Sequence, residues 1–203
     1  MSAPGRPRSF DRLHALDAAL SVFWQYGYEG ASLSLLTEAM GINRPSLYAA
    51  FGDKAELFRL ALARYEELWA SQLNDALAAP TARECIELML TRAARAITTG
   101  PHPRGCMMVT SALATAPEAA PIAQRLAERR RHAELALTRR LRRAIRECEL
   151  PPTTNPADLS RFYMSVLRGL SIEALSGATT SQLLRVVAIA LQAWPGALHP
   201  PVK

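Results

Sequence analysis

Arg44, Ser46, Tyr48 and Lys54 fall within one short run, INRPSLYAAFGDKAEL, at residues 42–57. The run supplies hydrogen-bond donors and one aromatic ring around two small alanines, Ala49 and Ala50. It offers neither a cluster of acids nor metal ligands. Such a set suits gripping an anionic surface: small residues permit close approach, while Arg, Ser and Tyr donate to phosphates and base edges. Pro45 and Gly52 punctuate the run at both ends, so it reads as a short helix with defined limits.

A second chemically distinctive stretch is HPRGCMMVTSAL, at 102–113. Gly105 and Cys106 are expected to open a helix there, where free backbone N–H groups lower a thiol's pKa, with Arg104 assisting. Cys106 is then either a reactive thiol open to modification or a small packing residue. Enzymatic chemistry finds little support. There is no phosphate loop, nucleophile elbow or His-rich metal motif, and His14, His102, His132 and His199 are scattered. No cofactor or metal is expected. Cys85, Cys106 and Cys148 are odd in number and far apart, which argues against a disulfide framework or zinc site.

The elements that position these residues read as helices throughout. Apolar residues recur at three- and four-residue steps, and no segment alternates with β-branched enrichment. A first helix starts near Ser9 or Phe10 and ends before Gly27. A second runs from about Leu33 to Met40 with Ser32 as N-cap, and a third covers 45–51. Asp53 and Glu56 open a fourth to Ala79, and Thr81 with Glu84 opens a fifth to about Thr99. Cys106–Ala114, Glu118–Glu149, an eighth helix behind Asn155 to Leu175 and a ninth behind Thr179 and Gln182, closed by Pro195, complete the series. The tail from Gly196 is expected to fray. The fold class is therefore all-α with about nine helices.

The chain has 203 residues and a formal net charge of +6. Hydrophobic residues make up 49%, enough for a packed core. Over residues 1–59 the charges balance; the excess lies in 125–146, where nine arginines accompany only Glu128 and Glu134. On a helical wheel eight of the nine, all but Arg130, fall opposite Leu126, Leu137 and Leu141. That basic face reads as a solvated surface, with a phosphate-facing or acidic-partner surface, as in a helical adaptor, as the alternative. No apolar run approaches a membrane span, and the N-terminus lacks a signal-peptide h-region, so a cytoplasmic location is expected.

Helices two and three share the tight turn MGINRP behind a longer amphipathic helix, a helix-turn-helix arrangement. Ile42, Leu47 and Phe51 are expected to lock the third helix inward. Residues 9–58 resemble the TetR/AcrR family of bacterial transcriptional regulators. The resemblance is most specific at Gly41, Ile42, Ser46, Leu47, Tyr48 and Phe51, followed by Lys54 and Leu57. It implies a three-helix DNA-binding head over 1–52 and a helical effector-binding and dimerisation domain over 53–203. It also implies a dimer on a near-palindromic operator, usually as a repressor released by a small molecule.

Carried onto this chain, the resemblance makes the third helix, with Arg44, Pro45, Ser46, Tyr48 and Ala49, the major-groove reader. Lys54 would grip a phosphate, Ser32 and Ser34 would contact phosphate from the second helix, and Arg6 and Arg8 would reach from a flexible arm. Helices eight and nine would form the homodimer interface. Helices four to eight would enclose the effector, with Tyr65, Trp69, Met89, Cys106, Met107, Met108, Phe162 and Tyr163 as candidate walls. Helix four would be the lever between them.

Overall fold

Local signals set the boundaries of nearly every helix in the computed structural model, which describes residues 10–111 and 119–196. The expected arm residues Arg6 and Arg8 lie outside the described residues, as does the tail beyond 196. Nine helices and no strand occur among the described residues. They are α1 (Arg12–Gly30), α2 (Leu33–Met40), α3 (Arg44–Phe51), α4 (Lys54–Leu77), α5 (Ala82–Ala96), α6 (Met107–Thr110), α7 (Ala120–Arg146), α8 (Pro156–Leu175) and α9 (Thr180–Gln192).

Ser32 caps α2 by accepting from the Leu35 N–H, and Asp53 caps α4 by accepting from the Glu56 N–H. Thr81 with Glu84 and Thr179 with Gln182 form complete capping boxes at α5 and α9. Each such cap contributes about 1 kcal/mol by satisfying donors that the first helical turn leaves open. Pro156 follows the Asn155 cap in the first turn of α8, where its missing N–H costs nothing. Gly27 breaks α1 where expected, at φ 69°, but a further turn continues to Gly30. The described part of α6 is one turn long, and the expected continuation to 114 lies outside the described residues.

Two buried clusters hold the chain together. The first gathers Phe23, Trp24, Leu36, Leu47, Phe51 and Phe58 from α1 to α4, and extends to Met107 on α6 and to Ile122 and Leu126 on α7. The second joins α5, α7, α8 and α9 around Ile86, Leu90, Leu141, Tyr163 and Leu170. Phe23 meets Phe58 edge-on with ring centroids 5.0 Å apart, so α1 and α4 share the aromatic centre of the head.

The basic face of α7 is narrower than expected. Arg125, Arg129, Arg131, Arg139, Arg142, Arg143 and Arg146 are exposed, but Arg140 is buried. It sits between Leu137 and Ala144 on the core stripe. Its guanidinium pairs with Glu149 at 3.3 Å and donates to the carbonyls of Ala79 and Pro80 beyond the end of α4. Those carbonyls and the carboxylate draw it inward. Glu149 also accepts from the Ala82 N–H, so this pair ties the α4–α5 turn to the end of α7.

Candidate nucleic-acid interface and effector cavity

The nucleic-acid side of the molecule is built on α3. Leu47 and Phe51 are buried and Ile42 is half-buried, which leaves Arg44, Pro45, Tyr48 and Ala49 exposed and Ser46 half-exposed. Asn43 caps α3 by accepting from the Ser46 N–H, so the helix begins one residue before its proline. Arg12 lies over the Phe51 ring at 5.1 Å and fixes α1 against α3 from the same side.

Arg44 Nη2 donates to Ser34 Oγ at 3.0 Å, so one α3 side chain and one α2 side chain form a joint donor surface. Ser32 is exposed while serving as a cap. Lys54, the first residue of α4, rests its ammonium over the Tyr28 ring at 4.7 Å and donates to the Glu29 carbonyl at 3.5 Å. Burial pushes its pKa down, and the Glu29 carboxylate pulls it partly back. A cation held over an aromatic face at a helix N-terminus is pre-positioned for an anion.

The second site is a cavity of about 250 Å³ between α4, α5, α7 and α8, closed on one side by α6. It brings together Tyr65, Trp69, Met89, Cys106 and Met108. The other three expected wall residues stand elsewhere. Met107 turns into the head core, fully buried. Tyr163 packs against Trp194 with its hydroxyl donating to the Ala190 carbonyl at 3.4 Å, and Phe162 is exposed on α8. Residue type identified them as adaptable or aromatic, but α8 turns Met164, Leu167 and Arg168 toward the cavity instead.

Cys106 occupies the N-cap position of α6 without a side-chain cap bond, and its thiol lies against Tyr65, whose Oη donates to Sγ at 3.1 Å. Burial, and then the neighbouring thiol, push the Tyr65 pKa well up. Arg104 does not assist this thiol as expected: its guanidinium donates to the carbonyls of Ala174 and Ala178 near the end of α8. Cys106 acts on Arg130 instead, opposing the lowering of the Arg130 pKa by burial.

Sequence reasoning missed two features of this region. One is Trp24, whose Nε1 donates to the Gly105 carbonyl at 3.0 Å and whose ring meets Tyr65 edge-on at 4.9 Å, Trp69 at 6.1 Å and His102 face-on at 5.2 Å. A head helix thus touches the cavity wall directly. The other is the polar set Gln72, Arg92, Arg130 and Arg168. Its one sequence signal was Arg130, the arginine that falls off the basic arc of α7.

A helix-turn-helix unit with an exposed, donor-rich second helix, carried on a helical body with an internal cavity, defines a DNA-binding regulator. The family model described as bacterial regulatory proteins, tetR family, matches residues 15–61, and that for the tetracyclin repressor-like C-terminal domain matches 85–189. The chain belongs to the TetR family of transcriptional regulators, a family of regulators rather than enzymes.

Among its relatives, the repressor ComR of Escherichia coli K12 is 34% identical over 94% of this chain and 92% of its own. The repressor BdcR of the same organism is 32% identical over 94% and 92%. A cysteine-substituted form of the regulator CifR, solved with 26-bp double-stranded operator DNA, is 44% identical over 94% of this chain and all of its own, with a TM-score of 0.89. Among the described residues no helix is long and apolar enough to cross a membrane, and no group of three or more His, Cys, Asp or Glu could hold a metal ion.

Proposed function

We propose that this protein is a repressor that binds a near-palindromic operator as a homodimer and leaves it when its cavity is occupied or Cys106 is modified. The observation that carries the reading is the outward face of α3, where Arg44, Tyr48 and Ala49 stand clear of the core beside Ser34. In this reading residues 1–52 form the DNA head, residues 53–203 form the effector-binding and dimerisation body, and the protein works in the bacterial cytoplasm. The repressor names of ComR and BdcR, and the operator complex of CifR, support the direction of the response.

Dimerisation is supported by α8 and α9, which expose Phe162, Ile172, Leu175, Val186 and Ile189, the last 66% exposed. So many apolar side chains on two adjacent helices call for a partner, and a second copy satisfies them symmetrically. Two heads then address two half-sites about a helical turn or more apart.

Coupling runs along two connections. Helix α4 carries Lys54 at one end and Tyr65 and Trp69 further along, and Trp24 joins α1 to the same wall through Gly105. A ligand that displaces Trp69, or an adduct on Cys106, changes the packing of Trp24 and hence the spacing of the heads. Selection of duplexes from a random pool tests the reading. It should enrich a near-palindrome, and recovery of unrelated sequences would sink it. Alkylation of Cys106 should lower affinity for the enriched duplex in the parent and not in Cys106→Ser.

A further inference from the structure

We propose that the cavity takes a small amphipathic carboxylate, its chain or ring against the apolar walls and its carboxylate at Arg130, flanked by Arg168 and the Trp69 N–H. This rests on the reading of the cavity as the effector site and names the chemical class of ligand.

The polar groups on the cavity lining are strongly one-sided. Arg92, Arg130 and Arg168 are its charged lining residues, and among the described residues no Asp or Glu lines the space. Trp69 Nε1 is buried and has no hydrogen-bond partner among the described residues. An unpaired buried N–H is costly and is relieved by an acceptor. The walls, including Leu73, Met89, Leu137, Met164 and Leu167, are apolar and accommodate a hydrocarbon body.

The three arginines differ in how far they are already satisfied. Arg92 pairs with Asp75 at 3.5 Å. Arg168 reaches Glu134 at 3.6 Å, but that carboxylate also serves Arg161 at 3.4 Å. Arg130 is half-buried, donates to the Met108 carbonyl at 3.3 Å, and has no carboxylate within ion-pair distance among the described residues. Burial and then the charge of Arg168 push its pKa down, while Cys106 acts in the opposite direction. A carboxylate placed there relieves the repulsion and replaces lost hydration with charge-assisted hydrogen bonds.

The surroundings are also basic. Arg130 and Arg168 also line an outward groove between α7 and α8 with Arg131, Arg142 and Arg161, where Glu134 is the acid. A groove of one predominant sign raises the local concentration of anions. The groove and the cavity thus share Arg130 and Arg168.

Titration of the full-length dimer with octanoate and 4-phenylbutyrate, and with the matching primary amides, tests the proposal through tryptophan fluorescence and calorimetry. The acids should saturate, and the amides should bind roughly tenfold or more weakly, the loss expected when a charge-assisted hydrogen bond is removed. Arg130→Gln should abolish the preference for the acids, and Arg130→Lys should keep part of it, with circular dichroism and operator retardation reporting the fold of each. Equal binding of acid and amide, an unchanged preference in Arg130→Gln, or no saturation by either acid would overturn it. Operator binding by the same preparation separates the two levels. If operator binding is specific and acids are not preferred, only this proposal fails; if no operator is bound, the proposed function fails.

Discussion

Replacing Trp24 with Phe attacks a side chain through which a head helix grips the cavity wall. The indole is 1% exposed, and its N–H reaches the Gly105 carbonyl across 81 residues of sequence. Phenylalanine keeps much of the ring but leaves that carbonyl without its donor in a buried site, a cost of about 1–3 kcal/mol. The atoms removed also leave a gap beside Tyr65 and Trp69, adding about 1 kcal/mol. For a chain of this length the sum should lower the melting temperature by roughly 5–15 °C. Calorimetry at a fixed dimer concentration checks it. Because α3 and Lys54 are untouched, the still-folded variant should keep its preference for the operator over a scrambled duplex, while the response to Cys106 alkylation weakens. A shift of less than about 2 °C, or a response to alkylation equal to the parent's, would refute the role of this contact.

Two further outcomes follow from buried polar groups. Arg140→Met should destabilise the protein by about 3–5 kcal/mol, since it strands the carboxylate of Glu149, and adding Glu149→Gln should recover part of the loss; chemical denaturation of the single and double variants would show no recovery if the pair were not coupled. Burial raises the Cys85 thiol from 9.0 to about 11. The folded state therefore favours the protonated thiol, so its contribution to stability is complete below about pH 9 and is lost as pH rises through about 11. Stability measured from pH 8 to 11 should fall less steeply in Cys85→Ala, and an unchanged slope would contradict the assignment.

The helix starts and the inward face of α3 were legible in the sequence because their signals are local. Ser32, Asp53, Thr81, Asn155 and Thr179 each announce a helix start within three residues, and the buried Leu47 and Phe51 follow directly from helical spacing in α3. The body was less legible because its contacts join distant elements. Nothing near Trp24 indicates Gly105, and nothing near Arg140 indicates the carbonyls at 79 and 80. Aromatic and methionine content separated neither Tyr163 from Tyr65 nor Met107 from Met108, since the orientation of each helix against its neighbours decides which side chain faces a cavity. Arg130 was distinguishable on the wheel of α7, but its environment depends on α8.

The central claim is that α3 and Lys54 read and grip the operator in a dimer. It is tested most directly by the affinity of the enriched duplex and a scrambled one for the parent, Tyr48→Ala and Lys54→Ala across a series of salt concentrations. Lys54→Ala removes one phosphate contact per protomer, so the slope of log affinity against log salt should become shallower by about 2. Tyr48→Ala should lower operator affinity by roughly tenfold or more through the loss of an α3 contact. If both variants keep the parent's affinity, salt slope and preference for the enriched sequence, the assignment of this surface to DNA is wrong.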